Sequence, residues 1–415
     1  MLVQLVPSQT GPPTSTPLPY TGNPFLLCWD DVLLFSKHSW SIIGILLPLK
    51  TSLGGPLDEL HPSARNLFCV GLHGFLIIFQ LAFLISLPFL TAVFVWTALL
   101  YVVVVMLVNL GLCWILNGNE NFLKSKVNIG DEGEDNEDEC WIFLNGVATG
   151  KHWLQANIDR LSLTFRRPVI GVHNRTYGII FDLIQCIIER NFVYPTLDIR
   201  NSYLLIKERL LQDHHKKVIL LLHSQGGIEG GMILDWLLSE LPHDTLQKLE
   251  IYTFGSAANH FNNPHRTSSA MKASQTETIP APRNDKAVRH IEHYASDTDF
   301  VARWGVLAFH HTRNRYMGRI FIRSGMGHLL NQHYLNSMFP LDKAGRVVEK
   351  NGFMDQEVIF SSAGAVERAR EGSPVEPVSL RRAESVLRAE MERRKSKVRD
   401  FSRLWEYRNG GKPDY

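Results

Sequence analysis

The sequence lacks a basic start followed by an apolar core, so its opening residues do not read as a cleaved signal peptide. Cysteine is scarce: five residues, Cys28, Cys69, Cys113, Cys140 and Cys186, scattered through 415 positions. No pair has metal-ligand spacing, and two lie in very apolar sequence. That argues for reduced thiols and against a disulfide framework or a cysteine-based zinc site. An excess of one charge is also missing. There are 43 Lys and Arg against 41 Asp and Glu, a formal net charge of +2, so nothing global points to nucleic acid as a partner. No internal repeat stands out, which argues against a solenoid or propeller.

The most local absence is the most informative. From Asn66 to Asn119 there is no Asp, Glu, Lys or Arg. A span needs ~20 apolar residues, so this stretch predicts two membrane helices, 67–87 and 89–116, broken at Pro88, which cannot donate a backbone hydrogen bond and disfavours helix just before it. Both ends then emerge on one side, whether the hairpin crosses the bilayer or re-enters one leaflet. Lys50 and Arg65 before it, and Lys124 and Lys126 after it, favour the cytosol for that side. An endoplasmic reticulum membrane or a lipid droplet would suit such a protein.

Five segments follow. Residues 1–65 read as a flexible Pro/Ser/Thr-rich tail leading into apolar patches around Trp29 and Trp40, suited either to a membrane interface or to core packing. Residues 66–119 are the hairpin, and 120–139 are a linker whose acidic run begins at Asp131. Residues 140–345 alternate strand and helix signals, and 346–415 form a charged tail. In that tail Leu380, Ala383, Leu387, Met391, Val398, Phe401 and Trp405 recur near helical spacing, which suits a membrane surface, a partner helix or the protein's own body. The polar stretch 259–286 interrupts the alternation as a lid-like or disordered insertion.

Within 140–345, strands are expected at 141–144, 169–172, 218–222, 249–254, 288–294 and 319–322, with helices at 178–190 and 203–214. Repeated strand–helix units imply an α/β fold with a doubly wound, mainly parallel sheet. Its centre is VILLLHSQGGIEGG at 218–231. Five consecutive apolar residues give a buried strand, Ser224 sits at a sharp turn, and a helical apolar pattern begins at Ile228. Gly226 and Gly227 permit close approach of helix to strand. The common pattern is G-x-S-x-G, and Leu222 stands where its first glycine would be. The plainer reading makes Ser224 a helix N-cap.

A serine hydroxyl attacks at neutral pH only with a base beside it and an acid behind the base. In doubly wound hydrolases these follow in the order Ser, Asp, His, and the chain supplies them in that order. Asp299 lies in a loop after the 288–294 strand, with Asp297 as the alternative acid. His328 ends Gly325-Met326-Gly327-His328, expected to be an exposed turn, and His333 is the alternative base on the helix that follows. Either aspartate would otherwise cap a turn.

HSQGG at 223–227, SDTDFV at 296–301 and GMGH at 325–328 together resemble the serine-esterase and lipase-like branch of the α/β-hydrolase superfamily, and fungal members with an N-terminal membrane segment in particular. The resemblance covers roughly 140–339. It implies Ser224 as nucleophile, His328 as general base and Asp299 as its orienting acid. The amide of Gln225 would form one half of an oxyanion hole. Val147, in the loop after the first strand, would supply the other, and Asn145 replaces the His of a frequent His-Gly pair. The function implied is a membrane-anchored serine hydrolase acting on apolar esters without metal or organic cofactor. An acyltransferase using the same triad, or an inactive hydrolase-fold scaffold on a membrane, are the alternatives.

Overall fold

The computed structural model describes residues 2–6, 8, 21–49, 55–130, 136–266, 286–312, 315–360 and 396–413. Its strands are β1 (Leu2–Val6), β2 (Phe122–Lys124), β3 (Glu139–Leu144), β4 (Val169–Val172), β5 (Lys217–His223), β6 (Leu249–Phe254), β7 (His290–Ser296), β8 (Arg319–Arg323) and β9 (Glu357–Phe360). They form one mixed, mostly parallel sheet in the order β2-β4-β3-β5-β6-β7-β8-β1-β9. The six strands β3 to β8 are mutually parallel, while β2 and β1 run antiparallel to β4 and β8.

Strand β5 explains why the centre is so apolar. Val218, Leu220 and Leu222 enter the core on one face of the sheet, and Ile219 and Leu221 enter the core on the other. A parallel strand covered on both faces has no solvent side, so its sequence does not alternate. Strand β3 follows the same rule, with Ile142 and Leu144 on one face and Trp141 and Phe143 on the other. The covering helices are α1 (Pro24–His38), α4 (Lys151–Phe165), α5 (Ile179–Phe192), α6 (Leu197–Leu211) and α7 (Gly226–Glu240). Helices α5, α6 and α7 pack on the first face, and α4 packs on the second.

Helices α2 (Ala64–Ser86) and α3 (Val95–Asn117) are both apolar and long enough to cross a membrane. Ser63 starts α2 by accepting the Asn66 amide, and a 3-10 turn at Leu87–Ala92, with Pro88 in its first turn, joins the two. The hairpin is not a separate anchor. Gln80 Nε2 donates to the Tyr177 carbonyl at 2.6 Å and to Asn109 Oδ1 at 2.8 Å, and Asn117 exchanges two hydrogen bonds with the Thr176 backbone. One side of each helix is thereby fixed to the α/β body.

At the ends one expectation fails, and two segments whose place was open pack on the body. The tail begins with a strand, because β1 inserts between β8 and β9. The segment 24–45 is part of the body: Arg190, itself buried, grips Asp31 of α1 and donates to the carbonyls of Ala257 and Trp304. Phe35 of α1 packs edge-on against Phe300 and Trp304. In the charged tail, Val398, Leu404, Trp405 and Tyr407 are buried in the second core, so 396–413 docks on its own domain. The rest of the expected amphipathic helix, the interior of the 259–286 insertion and most of the acidic run lie outside the described residues.

Candidate active site

The chain leaves β3 for β4 on one side, then returns to place β5 on the other side of β3. The carboxyl ends of β3 and β5 therefore flank a topological switch point, the usual place for a site in an open α/β sheet. Ser224 sits there, directly after β5. Its φ is 58°, a left-handed conformation that a residue with a Cβ rarely adopts, at a cost of order 1–3 kcal/mol. Three backbone bonds hold the turn. The Ser224 amide donates to the Phe254 carbonyl at 3.1 Å, and the Ser224 carbonyl accepts from Gly227 at 3.0 Å and Ala257 at 3.1 Å. So Ser224 is the corner itself, whereas α7 is capped at Gln225 without any side-chain bond.

The loop after β3 presses on the serine. A Cβ on Gly146 would lie 2.4 Å from Ser224 Cβ and 2.9 Å from its Oγ, so only glycine fits. Asn145 holds that loop. Fully buried, it accepts the Asn174 amide at 2.9 Å and donates to the carbonyls of Asn174 and Gly146. Asn174 in turn donates to buried Glu229 of α7. Asn145 thus performs a scaffolding task that does not need an imidazole.

Leu222 is accommodated from the opposite side. A Cβ on Gly230 would meet Leu222 Cδ1 at 2.2 Å. The room that a small residue would leave on the strand is left by the helix, one turn into α7. The departure from the common motif is a swap of which partner is small.

Asp299 and His328 meet as expected. His328 Nδ1 lies 2.9 Å from Asp299 Oδ2, and both side chains are buried. Asp299 Oδ1 accepts the Val301 amide at 2.9 Å and so also caps the short helix Phe300–Trp304. Tyr334 donates its hydroxyl to Asp299 Oδ2 at 2.7 Å. Burial by itself would raise the pKa of this carboxyl. The charge and hydrogen bond of His328, with the bonds from Tyr334 and Val301, overcome that and hold it below the ordinary value. The carboxylate therefore stays ionised behind the ring.

The other ring nitrogen, His328 Nε2, is buried and has no hydrogen-bond partner among the described residues. The ring stacks on His223, the residue before Ser224, with centroids 4.6 Å apart, and His223 Nε2 donates to the His328 carbonyl at 2.8 Å. Burial lowers the His223 pKa to about 3, so it is a neutral brace. No hydrogen bond joins Ser224 to His328 among the described residues. The two are linked through His223, and the site holds a serine corner, an oriented imidazole and an ionised acid at one sheet edge.

The alternatives separate cleanly. Asp297 Oδ1 accepts the Gly325 amide at 2.9 Å and tightens the turn before His328. His333 Nδ1 accepts the Leu329 amide at 3.1 Å, and its Nε2 donates to the Pro48 carbonyl at 3.2 Å. Both ring nitrogens are used structurally, in a π-helical segment (Leu330–Leu335), and burial lowers its pKa to about 4. The expected exposed turn is exposed only at Met326 and covered at its histidine: the His328 amide donates to the Ile45 carbonyl at 3.0 Å, and His328 keeps only 6% exposure.

The amides of Val147 and Gln225 donate to no protein acceptor among the described residues. The Ala148 amide next door is taken by Asp182 Oδ2 at 3.0 Å. Gln225 is steadied through its side chain, which donates to Glu189 Oε2 at 2.9 Å. Burial raises the pKa of the Glu189 carboxyl above the ordinary value.

No protein-family model matches the chain, and no curated protein matches it. The reading of the site therefore rests on geometry. Sequence reasoning missed His223, Tyr334 and Glu189. The histidine stood inside the quoted motif, but its function as a brace depends on a ring 105 residues later. Tyr334 was legible only as an apolar position on a helix.

Proposed function

We propose that this chain is a membrane-associated serine hydrolase of the α/β-hydrolase type, acting on carboxylic esters of lipids or other apolar substrates. One observation carries the reading. An imidazole oriented by an ionised buried aspartate, its outer nitrogen without a partner among the described residues, stacks on the residue before a serine held in left-handed backbone at the switch point of a parallel sheet.

In this mechanism Ser224 Oγ attacks the ester carbonyl carbon while His328 Nε2 takes its proton. Asp299 keeps the second proton on Nδ1 and stabilises the imidazolium that forms. The tetrahedral oxyanion faces the amides of Val147 and Gln225. Collapse expels the alcohol, which receives the proton from His328, and leaves an acyl-Ser224. Water, deprotonated by the same imidazole, releases the acid. An alcohol in place of water would make the same site an acyltransferase.

The membrane part rests on α2 and α3, two helices of spanning length whose outer sides are apolar and exposed. The room that Gly230 leaves for Leu222 supports an active site here over an inactive hydrolase-fold scaffold. The test is hydrolysis of a p-nitrophenyl ester series by the purified full chain in micelles. Turnover abolished by Ser224→Ala and rising with acyl length supports the proposal. Equal rates for wild type and variant sink it.

A further inference from the structure

The hairpin has the length to span, yet its contacts forbid a simple crossing. Body contacts run along one side of α2. Asn66 Oδ1 accepts from Trp153 Nε1 at 3.0 Å, and His73 stacks on Trp153. Further along, Gln80 Oε1 accepts the Ile180 amide at 3.1 Å, and Phe83 meets Phe181 edge-on at 6.1 Å. From Asn66 to Phe83 is roughly 26 Å of helix at ~1.5 Å per residue. A bilayer core is only about 30 Å thick, so a spanning α2 would drag helices α4 and α5 into hydrocarbon.

The outer faces of α2 and α3 are exposed along their length, but what stands clear of the body on every side is the tip, from about Leu84 to Leu100, which rises roughly 10–15 Å beyond Phe83. That is the depth of one leaflet. The two helices beside the hairpin match it. Helix α1 turns Leu34 and Phe35 to the core and exposes Phe25, Leu26, Trp29, Val32 and Leu33, with Asp30 and Lys37 to one flank. Helix α5 exposes Ile184, Ile188 and Phe192, an i, i+4, i+8 stripe. Ring contacts join the three, Phe25 to Phe192 at 5.4 Å and Phe181 to Phe83. The apolar face is therefore continuous from the hairpin through α5 to α1. An area of this extent on a monomer marks an interaction surface.

We propose that the protein is monotopic: the hairpin tip enters one leaflet, and the exposed stripes of α1 and α5 lie in that same leaflet. The segment after α1 ends at Ile45, whose carbonyl holds the His328 amide, and exposed Met326 lies beside Gly44. The candidate active site then lies next to the lipid surface, on the side from which an apolar ester would come without crossing water. This inference rests on the membrane half of the function proposed above and is independent of the catalytic half.

The test is nitroxide depth measurement on the full chain in phosphatidylcholine vesicles. Single labels go at Phe89→Cys, Trp29→Cys, Ile188→Cys and Asp213→Cys in a Cys28→Ser background, the other four cysteines being buried. Positions 89, 29 and 188 should be open to oxygen and shielded from a water-soluble nickel chelate, with 89 deepest. Position 213, at the far end of β5, should show the reverse. A chelate trapped inside the vesicles that reaches position 89 would mean a spanning hairpin and overturn the proposal. Chelate access at 29 and 188 from outside would remove α1 and α5 from the membrane face and overturn it too. Failure to bind vesicles at all would defeat the membrane reading itself, while leaving the ester assay to judge the chemistry separately.

Discussion

Gly230→Ala probes the least regular feature of the site. The new methyl would sit 2.2 Å from Leu222 Cδ1, 3.0 Å from Cδ2 and 3.2 Å from Cγ. Leu222 is fully buried on β5 against α7, so any shift of its methyl groups must be taken up by the surrounding core. Overpacking of this kind costs about 1–3 kcal/mol. Replacing glycine by alanine inside a helix returns up to about 1 kcal/mol. At 2.2 Å the clash dominates, so a net loss of about 1–2 kcal/mol is expected. Leu222→Ala alone opens a cavity and should cost about 2–5 kcal/mol. In the double variant the methyl enters the space Leu222 vacates, so the pair should be more stable than the sum of the singles by about 1–3 kcal/mol. Urea unfolding of the full chain in micelles measures all four corners of the cycle. Turnover should follow, because pushing α7 off β5 moves the Gln225 amide, and the double variant should recover it in part. Strict additivity would refute the idea that Gly230 makes room for Leu222.

The remaining predictions concern the acid and the base. His328→Ala should lower ester turnover by about three or more orders of magnitude, whereas His333→Ala should keep the chemistry and lose about 1–3 kcal/mol of stability, because two hydrogen bonds around Pro48 and Leu329 go with it. Near-normal turnover in His328→Ala at equal protein level would contradict this assignment. Asp299→Asn should cost about three to four orders of magnitude in kcat by favouring the wrong tautomer. The Asp299 pKa is lowered in the fold, so its stabilising contribution is complete above the unfolded carboxyl value of about 3.9 and is lost as pH falls through the lower folded value. The Tm gap between wild type and Asp299→Asn should hold at about pH 5 and close only below about pH 4. A gap that closes on raising the pH instead would contradict the ion-pair account.

Much of the centre was legible because its signals are local. Five apolar residues before Ser224 specify a strand buried on both faces, and Leu249–Phe254 has the bounds its sequence suggested. Chain order and strand ends narrowed the acid to Asp297 or Asp299 and the base to His328 or His333, and the resemblance pointed to the pair Asp299 and His328. The periphery depended on distant partners. Leu2–Val6 is too short to declare itself a strand, and becomes one only by pairing with residues 320–323 and 357–360. Gln80 and Asn109 look like stray polar residues in membrane helices until the Tyr177 carbonyl is placed between them. Leu222 read as a defect because its compensation, Gly230, lies eight residues on and becomes adjacent only when α7 crosses β5. The cover over His328 was hidden for a similar reason: Ile45 is remote in sequence from the loop it holds.

The central claim is that Ser224 is an activated nucleophile. Treating the full chain with a fluorophosphonate probe, digesting with trypsin and mapping the adduct by mass spectrometry tests it most directly, since the peptide Val218–Lys248 contains Ser224. The account predicts stoichiometric phosphonylation at Ser224, lost in Ser224→Ala and strongly slowed in His328→Ala. An unmodified Ser224 in folded, vesicle-bound protein, or an adduct on another residue that survives in Ser224→Ala, would contradict it.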